Sequence, residues 1–574
     1  MTTIQSRAAA LVLDAFLDYN ARFSDITRRA RRRFERRDWK YVQVDATARI
    51  DLYDVCVRET LGRLELLLEE RVRSRSIWTQ IRDQVERLVE PMLDRELPKT
   101  FFNSLSRRYF LTNGVAADIE FVALDSEPTT GIADAIDLNH YDVADGLHRV
   151  CERILADYPF ANGYADIAGC VTAIARTVAA RVRASGPKRL HTIDLIRSIF
   201  FRERRAYLVG RACGDQGVVP LVIALVSTDE GVRADAVITE LDQVSLLFGY
   251  TRSYFHVDLP TIGDIVVFLG ALMPHKPVEE LYTVLGRIKQ GKTERYRHLF
   301  RHLARQPDER LVRADGERGM VMAVFTPKAW PLVFKIIRDQ FAYPKDIARR
   351  QVEEKYRLVF RYDRIGRLVD AQEFRHLRFP KARFEQGMLE ELLGQCAETV
   401  SLEGDEVLVR HCYVERRLRP LNLFVREAPA DAALKAMLDY GQAIKDLARS
   451  NIFPGDLLLK NFGVTRGGRA IFYDYDELCL LETCRFRHLP EAREGDETRP
   501  LDEWLSVREG DVFPEMFPRF LGVPEHLRNA LIDAHGEIFD ADWWRAVQRA
   551  ITRGDNTDIP PYPASARLQP ANPQ

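Results

Sequence analysis

A chain of 574 residues exceeds the size at which one hydrophobic core normally suffices, so we expect at least two domains. Hydrophobic residues make up 46% and charged residues 29%, which is ordinary for a globular protein, and a net charge of −1 creates no overall field toward nucleic acid or an anionic membrane. No apolar run approaches the roughly 20 residues of a membrane-spanning helix. The eight cysteines lack zinc-type spacing, which favours reduced thiols and a cytoplasmic protein.

The first third of the chain has the spacing of amphipathic helices. Apolar residues recur every three or four positions from Trp78 to Met92, and a similar pattern opens at Leu13. Between about 205 and 260, β-rich runs such as VVPLVIALVS replace it, and helical spacing returns over Val278–Arg305. These patterns predict a mainly helical N-terminal domain with a β-rich portion.

An arginine-rich run at Arg28–Lys40, RRARRRFERRDWK, is open to two interpretations. With Phe34 and Trp39 interleaved, it could bind phosphates and stack bases. It also fits a solvated helix face with a few aromatic residues turned to the core. The near-neutral total charge and the lack of an accompanying motif favour the second interpretation, so we expect no nucleic-acid partner.

Downstream of a composition change near Leu303–Glu309, the pattern is strand, glycine turn, strand, turn and strand. Glycine lets backbone N–H groups approach a phosphate closely, so the turn is a candidate nucleotide-binding loop. Its residues are Ala314, Asp315, Gly316, Glu317, Arg318, Gly319 and Met320. Lys335 in the last strand is costly to bury without an anionic partner. Protein kinases place a third-strand lysine on nucleotide phosphates in this same order.

Two helical stretches offer acids that could pair with Lys335, and the sequence leaves this choice open. Glu353 and Glu354 lie 18 and 19 residues further on, where a kinase has its ion-pairing glutamate, while EQGMLEELLGQC supplies rival carboxylates. The strand after these helices would be the hinge of a kinase-like fold. We therefore predict that backbone groups around Tyr413 and Glu415 hold the adenine edge.

Residues 451–478, NIFPGDLLLKNFGVTRGGRAIFYDYDEL, carry carboxylates and an amide at fixed distances along a predicted hairpin. Asp456 and Asn461 are five residues apart, the spacing of a kinase catalytic loop, and Asp474 follows Asp456 by eighteen. Taken singly, such residues are typical of turns. In the order set by the upstream elements, they predict a metal–phosphate site.

The expected roles follow from charge. Asp456 can accept or orient the proton of a hydroxyl group, and Lys460 can neutralise the transferring phosphoryl group. Asn461 and Asp474 carry the oxygen ligands that Mg²⁺ prefers, with Mn²⁺ as an alternative.

Five strings of the C-terminal half closely resemble the bacterial isocitrate dehydrogenase kinase/phosphatase family: ADGERGMVM, VFKIIRDQF, RHCYVERRLRPLN, NIFPGDLLLKNFGV and FYDYDEL. The similarity extends through the helical N-terminal half. It implies an enzyme that uses ATP and ADP to phosphorylate and dephosphorylate a serine of NADP-dependent isocitrate dehydrogenase, directing carbon between the citric-acid cycle and the glyoxylate bypass. It also implies AMP as an allosteric ligand and a functional role for Asp370 in GRLVDAQEF, and it leaves a homodimer open.

The strings depart from ordinary protein kinases at two points. Phe453, Pro454 and Gly455 stand where a kinase has His-Arg before its catalytic aspartate, so we do not expect control by a phosphorylated activation loop. Asp476 replaces the glycine of Asp-Phe-Gly. An acid beside a metal-binding aspartate can orient water, so we expect Asp476 to serve the phosphatase reaction, and capping of the following turn is the alternative.

We therefore predict an α+β protein in three segments: a mainly helical regulatory domain with a β-rich portion at 1–305, a bilobal protein-kinase-like catalytic domain at 306–555, and a disordered tail at 556–574. The predicted function is a bifunctional serine kinase and phosphatase with one shared active site and ATPase activity. The alternatives are an ATP-dependent kinase of another protein or metabolite without phosphatase activity, and a kinase-like scaffold without chemistry.

Overall fold

The computed structural model describes residues 3–112, 115–122, 136–185, 189–249, 254–343, 347–362, 365–490, 507–508, 510–554 and 558–568. The chain divides into two compact units, an N-terminal unit of residues 1–306 with 560–574 and a C-terminal unit of residues 307–559. The α+β fold class is confirmed, because a mainly helical region with its own sheet precedes a region with a second sheet. Among the described residues, no helix is both long and apolar enough to cross a membrane.

The N-terminal unit begins with four packed helices: α1 (Ile4–Arg36), α2 (Trp39–Leu68), α3 (Arg75–Val89) and α4 (Glu96–Phe110). The Thr3 hydroxyl accepts the Ser6 backbone N–H at 3.2 Å and caps α1. The apolar stripe predicted from Trp78 is confirmed in α3, with Trp78 fully buried in the bundle core. The helix ends at Val89, two residues before Pro91, which has no backbone N–H to continue the helical hydrogen bonds.

A mixed helix–sheet region completes this unit. Its strands are β1 (Leu138–Asp142), β2 (Leu190–Ile196), β3 (Phe200–Arg202), β4 (Arg205–Gly214), β5 (Gly217–Thr228) and β6 (Gly231–Ile238). Its helices are α5 (Leu147–Asp157), α6 (Ile167–Ser185), α7 (Leu241–Leu247), α8 (Ile262–Leu272), α9 (Val278–Val284) and α10 (Ile288–Arg305). The strand order is β1-β2-β4-β5-β6, antiparallel, with β3 on β4. Leu221 and Ile223 pack with α5 and α6, whereas Val222 and Ala224 pack into a second core with α8 and α9. Both faces of β5 are therefore buried, which explains its unbroken apolar run.

The arginine-rich run lies at the end of α1 and the start of α2, where its side chains make intramolecular ion pairs. Arg28 pairs with Asp258 at 2.7 Å and Arg33 with Asp45 at 3.0 Å. Phe34 is buried in the sheet core. These contacts favour the structural interpretation of the run.

The predicted disordered tail includes residues 560–568, which instead pack within the N-terminal unit. The Tyr562 hydroxyl donates to Asp235, Arg567 pairs with Asp235 at 2.8 Å, and the Leu568 N–H donates to the Asp235 carbonyl at 2.8 Å. A buried carboxylate needs such partners, and the proline content of the tail does not prevent them. Residues 555–557 and 569–574 lie outside the described part of the chain.

The C-terminal unit starts with an antiparallel sheet. Its strands are β7 (Leu311–Arg313), β8 (Met322–Pro327), β9 (Leu332–Ile337), β10 (Gln372–Pro380), β11 (Val400–Glu403) and β12 (Glu406–Arg416), in the order β10-β12-β9-β8-β7 with β11 on β12. Between these strands lie α11 (Arg349–Tyr362) and α12 (Gln386–Gln395). The predicted strand–turn–strand pattern around the glycine loop and the two predicted helices are thus confirmed.

The rest of this unit is mainly helical: α13 (Leu421–Glu427), α14 (Ala430–Arg449), α15 (Glu525–His535) and α16 (Ala541–Thr552). Short strands connect them: β13 (Arg419–Pro420), β14 (Ile452–Phe453), β15 (Phe462–Val464), β16 (Ala470–Phe472), β17 (Cys479–Leu480), β18 (Arg485–Phe486) and β19 (Asp511–Val512). Gly441 lets α14 approach α15 closely, because a Cβ there would lie 2.4 Å from the His535 ring. The apolar face of α14 anchors the segments that follow it.

Candidate active site

Lys335 lies inside the sheet, where its charge is compensated. Its residue is 7% exposed, its Nζ lies 2.8 Å from Glu415 Oε2, and it donates to the Tyr473 carbonyl at 2.6 Å. Strand β9 pairs with β12 so that Lys335 faces Tyr413 across the ladder. Glu415 is two residues further along β12 and therefore on the same face. The carboxylate that compensates the buried Lys335 charge thus comes from a neighbouring strand and not from a helix.

Glu353 and Glu354 do not pair with Lys335. Glu354 is exposed and Glu353 is half-buried, and both pair along α11, Glu354 with Arg350 at 3.0 Å and Glu353 with Arg357 at 3.4 Å. The inner side of α11 instead presents Tyr356, which stacks on Tyr413 with ring centroids 3.8 Å apart. Burial raises the pKa of Tyr356, and the nearby Glu415 and Asp474 carboxylates raise it further. The helix therefore reaches the site through an aromatic ring.

Tyr413 and Glu415, whose backbone groups we predict to hold the adenine edge, lie on the central strand β12. Tyr413 pairs with Lys335 of β9 on one side and with Glu373 of β10 on the other, so its backbone lies within the sheet. On β12, the pairing with β10 ends at Val414, and the pairing with β9 ends at Arg416. Glu415 contributes its carboxylate to Lys335.

A hairpin brings Asn461 and Asp474 to one end of two short strands. In the β15–β16 ladder, Phe462 faces Phe472, and the Tyr473 N–H donates to the Asn461 carbonyl at 3.0 Å. Asp474 is the next residue along the chain. The Tyr473 carbonyl accepts a hydrogen bond from the Lys335 ammonium, so Tyr473 links Lys335 to the Asn461 backbone directly before Asp474.

Asp456 lies half-buried beside this hairpin. Its Oδ1 accepts the Leu458 N–H at 2.9 Å, and Asn461 Nδ2 donates to its carbonyl at 3.4 Å. Burial raises the pKa of the Asp456 carboxyl, and the charge of Glu477 adds to the rise against these hydrogen bonds. Gly455 has φ +83°, and a Cβ there would lie 2.5 Å from the Glu477 carbonyl oxygen. Only glycine permits this close approach of the two segments.

The glycine loop is held from three directions. Glu317 pairs with Lys460 at 3.0 Å, which brings the loop to the segment of Asp456. Asp315 pairs with Arg419 at 2.7 Å. Gly316 has φ +116°, a left-handed conformation that favours glycine, and the Gly319 carbonyl accepts from Arg338 at 3.2 Å.

Glu391 of α12 joins the loop to its flanking strands. Its carboxylate receives Arg313 at 2.5 Å, Arg318 at 3.1 Å and Arg338 at 2.6 Å. Burial acts to raise the pKa of Glu391, but Arg338 and Arg313 outweigh it and leave the pKa lowered. One of the rival carboxylates of the sequence thus organises the arginines around the loop.

Asp370 is buried next to the strand that precedes Asp474. The Val369 N–H donates to the Phe472 carbonyl at 3.1 Å, and Gln372 Nε2 donates to Asp370 Oδ2 at 3.0 Å. The segment is fixed by Arg367, which bonds Asp446 of α14 at 2.8 Å. This places Asp370 alongside the metal-ligand candidates, although the contacts assign it no chemical step.

Asp476 lies between two fixed residues. The Tyr475 hydroxyl donates to the Val369 carbonyl at 2.7 Å, and Glu477 packs against Gly455. Asp476 itself is half-buried. Asp476 therefore lies on a segment that packs against the segment of Asp456.

Four contributors were not predicted from the sequence in their structural roles: Tyr356, Arg367, Glu391 and the Lys335–Glu415 pair. Arg367 also bonds Asp439 of α14 at 2.6 Å. A sequence signal existed for Glu391, which was among the rival carboxylates, and for Glu415, which shares a period-2 face with Tyr413. Neither signal specifies a partner, because strand register is not readable from local spacing.

Comparisons with known proteins match the whole chain. Residues 309–564 match the family model described as isocitrate dehydrogenase kinase/phosphatase (AceK) kinase domain, and residues 9–307 match the model of the regulatory domain of the same family. A protein of Xanthomonas axonopodis pv. citri (strain 306), named isocitrate dehydrogenase kinase/phosphatase, is 52% identical over 561 residues, which cover 98% of this chain and 97% of that relative. A protein of the same name from Anaeromyxobacter sp. (strain Fw109-5) is 43% identical over 566 residues, 98% of each chain.

Proposed function

This chain belongs to the isocitrate dehydrogenase kinase/phosphatase family, and on that premise we propose how its C-terminal unit works. The protein is a bifunctional enzyme, a kinase and a phosphatase of isocitrate dehydrogenase. We propose that both reactions use one site, built on the Asp456–Asp474 hairpin, with ATP as phosphoryl donor. The observation that carries this proposal is that Tyr473, the residue before Asp474, bonds both the Lys335 ammonium and the Asn461 carbonyl.

The nucleotide phosphates are proposed to lie between the glycine loop and Lys335. The Glu317–Lys460 pair joins the loop to the segment of Asp456. The Lys335 ammonium bonds the carbonyl of Tyr473, the residue before Asp474. Phosphate oxygens would replace Glu317 as the partner of Lys460, since they carry more charge. Exchange of one anionic partner for another avoids leaving a cation unpaired.

Asn461 and Asp474 fit a divalent cation. The Asn461 amide nitrogen is engaged by the Asp456 carbonyl, which presents the amide oxygen as the ligand atom, and Asp474 supplies a carboxylate. Both are the oxygen donors that Mg²⁺ prefers, and Mn²⁺ is the alternative. The bound cation would neutralise charge on the phosphate oxygens.

In the kinase direction, Asp456 is proposed to orient the substrate serine and accept its proton. Its pKa is raised by burial, which makes the ionised carboxylate a better proton acceptor than that of an ordinary aspartate. Lys460 would stabilise charge on the phosphoryl group as it moves. The Leu458 N–H fixes the carboxylate orientation through its bond to Oδ1.

In the phosphatase direction, we propose that the same groups run in reverse, with phosphoryl passing from the serine to bound ADP and then to water. Groups that stabilise the transferring phosphoryl serve either direction equally. Asp476 is proposed to orient the water, since it lies two residues beyond Asp474 on a segment fixed at Tyr475 and Glu477. The alternative role of Asp476 is to cap the following turn.

The test of this shared site is a transfer and chase. Labelled ATP with isocitrate dehydrogenase should label the substrate, and excess ADP should then release the label. Asp476→Ala should depress phosphatase and ATPase activity at least about 10-fold more than kinase activity. Glu482→Ala, at an exposed position further along the same segment, is the matched control and should change none of them. Equal losses in all three activities would contradict the assignment of Asp476, and normal phosphate release without nucleotide would contradict the reversed-kinase mechanism.

Three further parts of the proposal come from the resemblance: AMP as an allosteric ligand, a homodimer left open, and a cytoplasmic location. Titration calorimetry with AMP and sedimentation of the pure protein test the first two. Failure of AMP to bind would remove it from the proposal without touching the catalytic site.

A further inference from the structure

Two cysteine sulfurs lie in contact close to the candidate active site. Cys479 Sγ and Cys484 Sγ are 3.5 Å apart. Cys479 lies on β17 and is partly exposed, and Cys484 is buried after the short helical turn Leu481–Thr483. A disulfide has a sulfur–sulfur distance of about 2.05 Å, so closure requires a sulfur movement of roughly 1.5 Å.

We propose that Cys479 and Cys484 form a reversible intramolecular disulfide when the protein meets a peroxide, and that this bond lowers both activities of the enzyme by displacing the segment that carries Asp456.

The local environment prepares Cys479 as the attacking sulfur. The hydrogen bond between the two thiols lowers the pKa of Cys479, and the Lys355 ammonium of α11 lowers it further. The pKa of Cys484 is raised by the same pairing and by burial. Because the thiolate is the nucleophile, Cys479 reacts first and Cys484 retains its proton until the second step.

The chemistry balances with hydrogen peroxide as the oxidant. The Cys479 thiolate attacks one peroxide oxygen, so a sulfur–oxygen bond forms, the oxygen–oxygen bond breaks and hydroxide leaves. The Cys484 sulfur then attacks the Cys479 sulfur, forming the disulfide, while the sulfenic oxygen leaves as water with the Cys484 proton. The two thiols lose two electrons in total, and a small dithiol returns them by exchange.

The loop between the cysteines is attached to the segment of Asp456. Cys479 pairs with Phe453 in the β14–β17 ladder, three residues before Asp456. The Leu481 and Glu482 N–H groups both donate to Asn451 at 3.1 Å.

The other side of the same loop is held by α16. Gln548 Nε2 donates to the Leu481 carbonyl at 2.7 Å and to the Cys484 carbonyl at 2.8 Å. Because the loop is bonded on both sides, formation of the sulfur–sulfur bond pulls on the Phe453 backbone that pairs with Cys479. Asp456, three residues further on, moves with it. A displacement of about 1 Å can cost as much as 10²-fold in rate.

The experiment uses the full-length protein, first reduced and then exposed to hydrogen peroxide. Differential alkylation and peptide mass spectrometry should find a Cys479–Cys484 crosslink and two fewer free thiols than the eight of the reduced chain. Kinase and phosphatase activities toward isocitrate dehydrogenase should fall ~10-fold or more and return with dithiothreitol. Absence of the crosslink, or a crosslink that leaves both activities unchanged, overturns the proposal.

Variants separate the two steps. Cys484→Ser keeps the attacking sulfur and should stop at a sulfenic acid that dimedone traps, and the Cys479→Ser, Cys484→Ser double variant should keep its activity in peroxide. Cys213→Ser is the matched control, since this partly exposed cysteine lies in the N-terminal unit, 3.8 Å from Asp194, and should leave the crosslink unchanged. Inactivation of the double variant at the native rate overturns the proposal.

The activity part rests on the proposed role of Asp456, whereas the crosslink is mapped without any activity assay. Asp456→Asn in the reduced protein tests that role separately, so failure of the disulfide and failure of the proposed site give different results.

Discussion

Lys335 and Glu415 form a buried ion pair in the middle of the C-terminal sheet, and each depends on the other. The Lys335 side chain is 8% exposed and that of Glu415 is 1% exposed. A pair buried to this degree gains its stability only while both charges are present, because a single buried charge has lost its hydration without compensation. The same ammonium also bonds the Tyr473 carbonyl, which couples the stability of the sheet to the position of Asp474.

We expect Glu415→Gln to lower the free energy of unfolding by about 3–5 kcal/mol, since it removes one partner of a buried pair. Both activities should fall with it, because Lys335 loses its orientation. Denaturant unfolding and the two activity assays measure these effects. Glu354→Gln on the exposed side of α11 is the control and should cost about 1 kcal/mol or less. A larger loss in the control would restore that helix as the source of the lysine partner.

Asp456 should show its proposed role in the pH dependence of the kinase. A general base works only when ionised, and burial raises the Asp456 pKa, so activity should be lost on acidification at a pH above the ordinary aspartate value of 3.8. Asp456→Asn should lower phosphoryl transfer by about 10²–10⁴-fold and remove that acid limb. Nucleotide affinity should remain unchanged.

The control for Asp456 is Asp533→Asn, an exposed aspartate on α15. It should leave the pH–rate profile as it is. Equal losses of ATP affinity and of transfer rate in Asp456→Asn would identify Asp456 as a structural residue.

At the scale of elements, α12 stabilises the glycine loop without belonging to it. Glu391 on this helix receives arginines from β7, from the loop and from the residue after β9, so one carboxylate fixes three segments. The arrangement differs from a loop that is ordered only by its own turn residues. The loop therefore enters the site already oriented, which lowers the entropic cost of binding phosphates.

Glu391→Gln should raise the KM for ATP by about 10-fold, because the loop loses its charged anchor, and should destabilise the protein by about 3–5 kcal/mol, because Arg338 stays buried. The folded-state pKa of Glu391 is lowered from 4.5, so its stabilisation is present above the unfolded-state pKa and is lost as pH falls through the folded-state pKa. Unfolding curves below about pH 4.5 should show this loss in the native protein and not in the variant.

The neighbouring Glu390→Gln serves as the control, since Glu390 is exposed and accepts a hydrogen bond from Gln386 on its own helix at 2.9 Å. A KM for ATP that stays unchanged in Glu391→Gln would show that the loop needs no anchor from α12.

At the scale of the whole molecule, the chain passes from the N-terminal unit into the C-terminal unit and returns to the first at its end. Tyr562 is central to the returning segment, because its hydroxyl bonds Asp235 and receives Arg205 Nε at 2.8 Å. Asp235 and Arg205 are both buried, so the tail completes the hydrogen bonds of strands β4 and β6.

Tyr562→Phe should lower the stability of the N-terminal unit by about 1–3 kcal/mol, because it leaves buried polar groups short of a partner. Hydrogen exchange should speed up in β4 and β6 and stay unchanged in β8 and β9. Tyr343→Phe is the matched control, since Tyr343 is 96% exposed. Faster exchange confined to the C-terminal unit would contradict the packing of the tail.

Local sequence was sufficient for the elements and for part of the site. Apolar spacing predicted α3 and α14 because one face of each helix is buried, and the run of β5 is apolar throughout because both of its faces are buried. That Asn461 and Asp474 lie near the same end of the β15–β16 hairpin could be expected from spacing, since a short hairpin places residues near its two ends side by side.

The partners of the buried charges became visible only in the folded chain. Arg338 and Glu391 are separated by 53 residues in the sequence, Arg367 and Asp446 by 79, and Lys335 and the Tyr473 carbonyl by 138. Such pairs depend on strand register and helix placement, and a one-residue change of register would turn each side chain to the opposite face. Sequence therefore identifies which groups require a partner, because burial of a charge is costly everywhere, whereas packing selects the partner that each group receives.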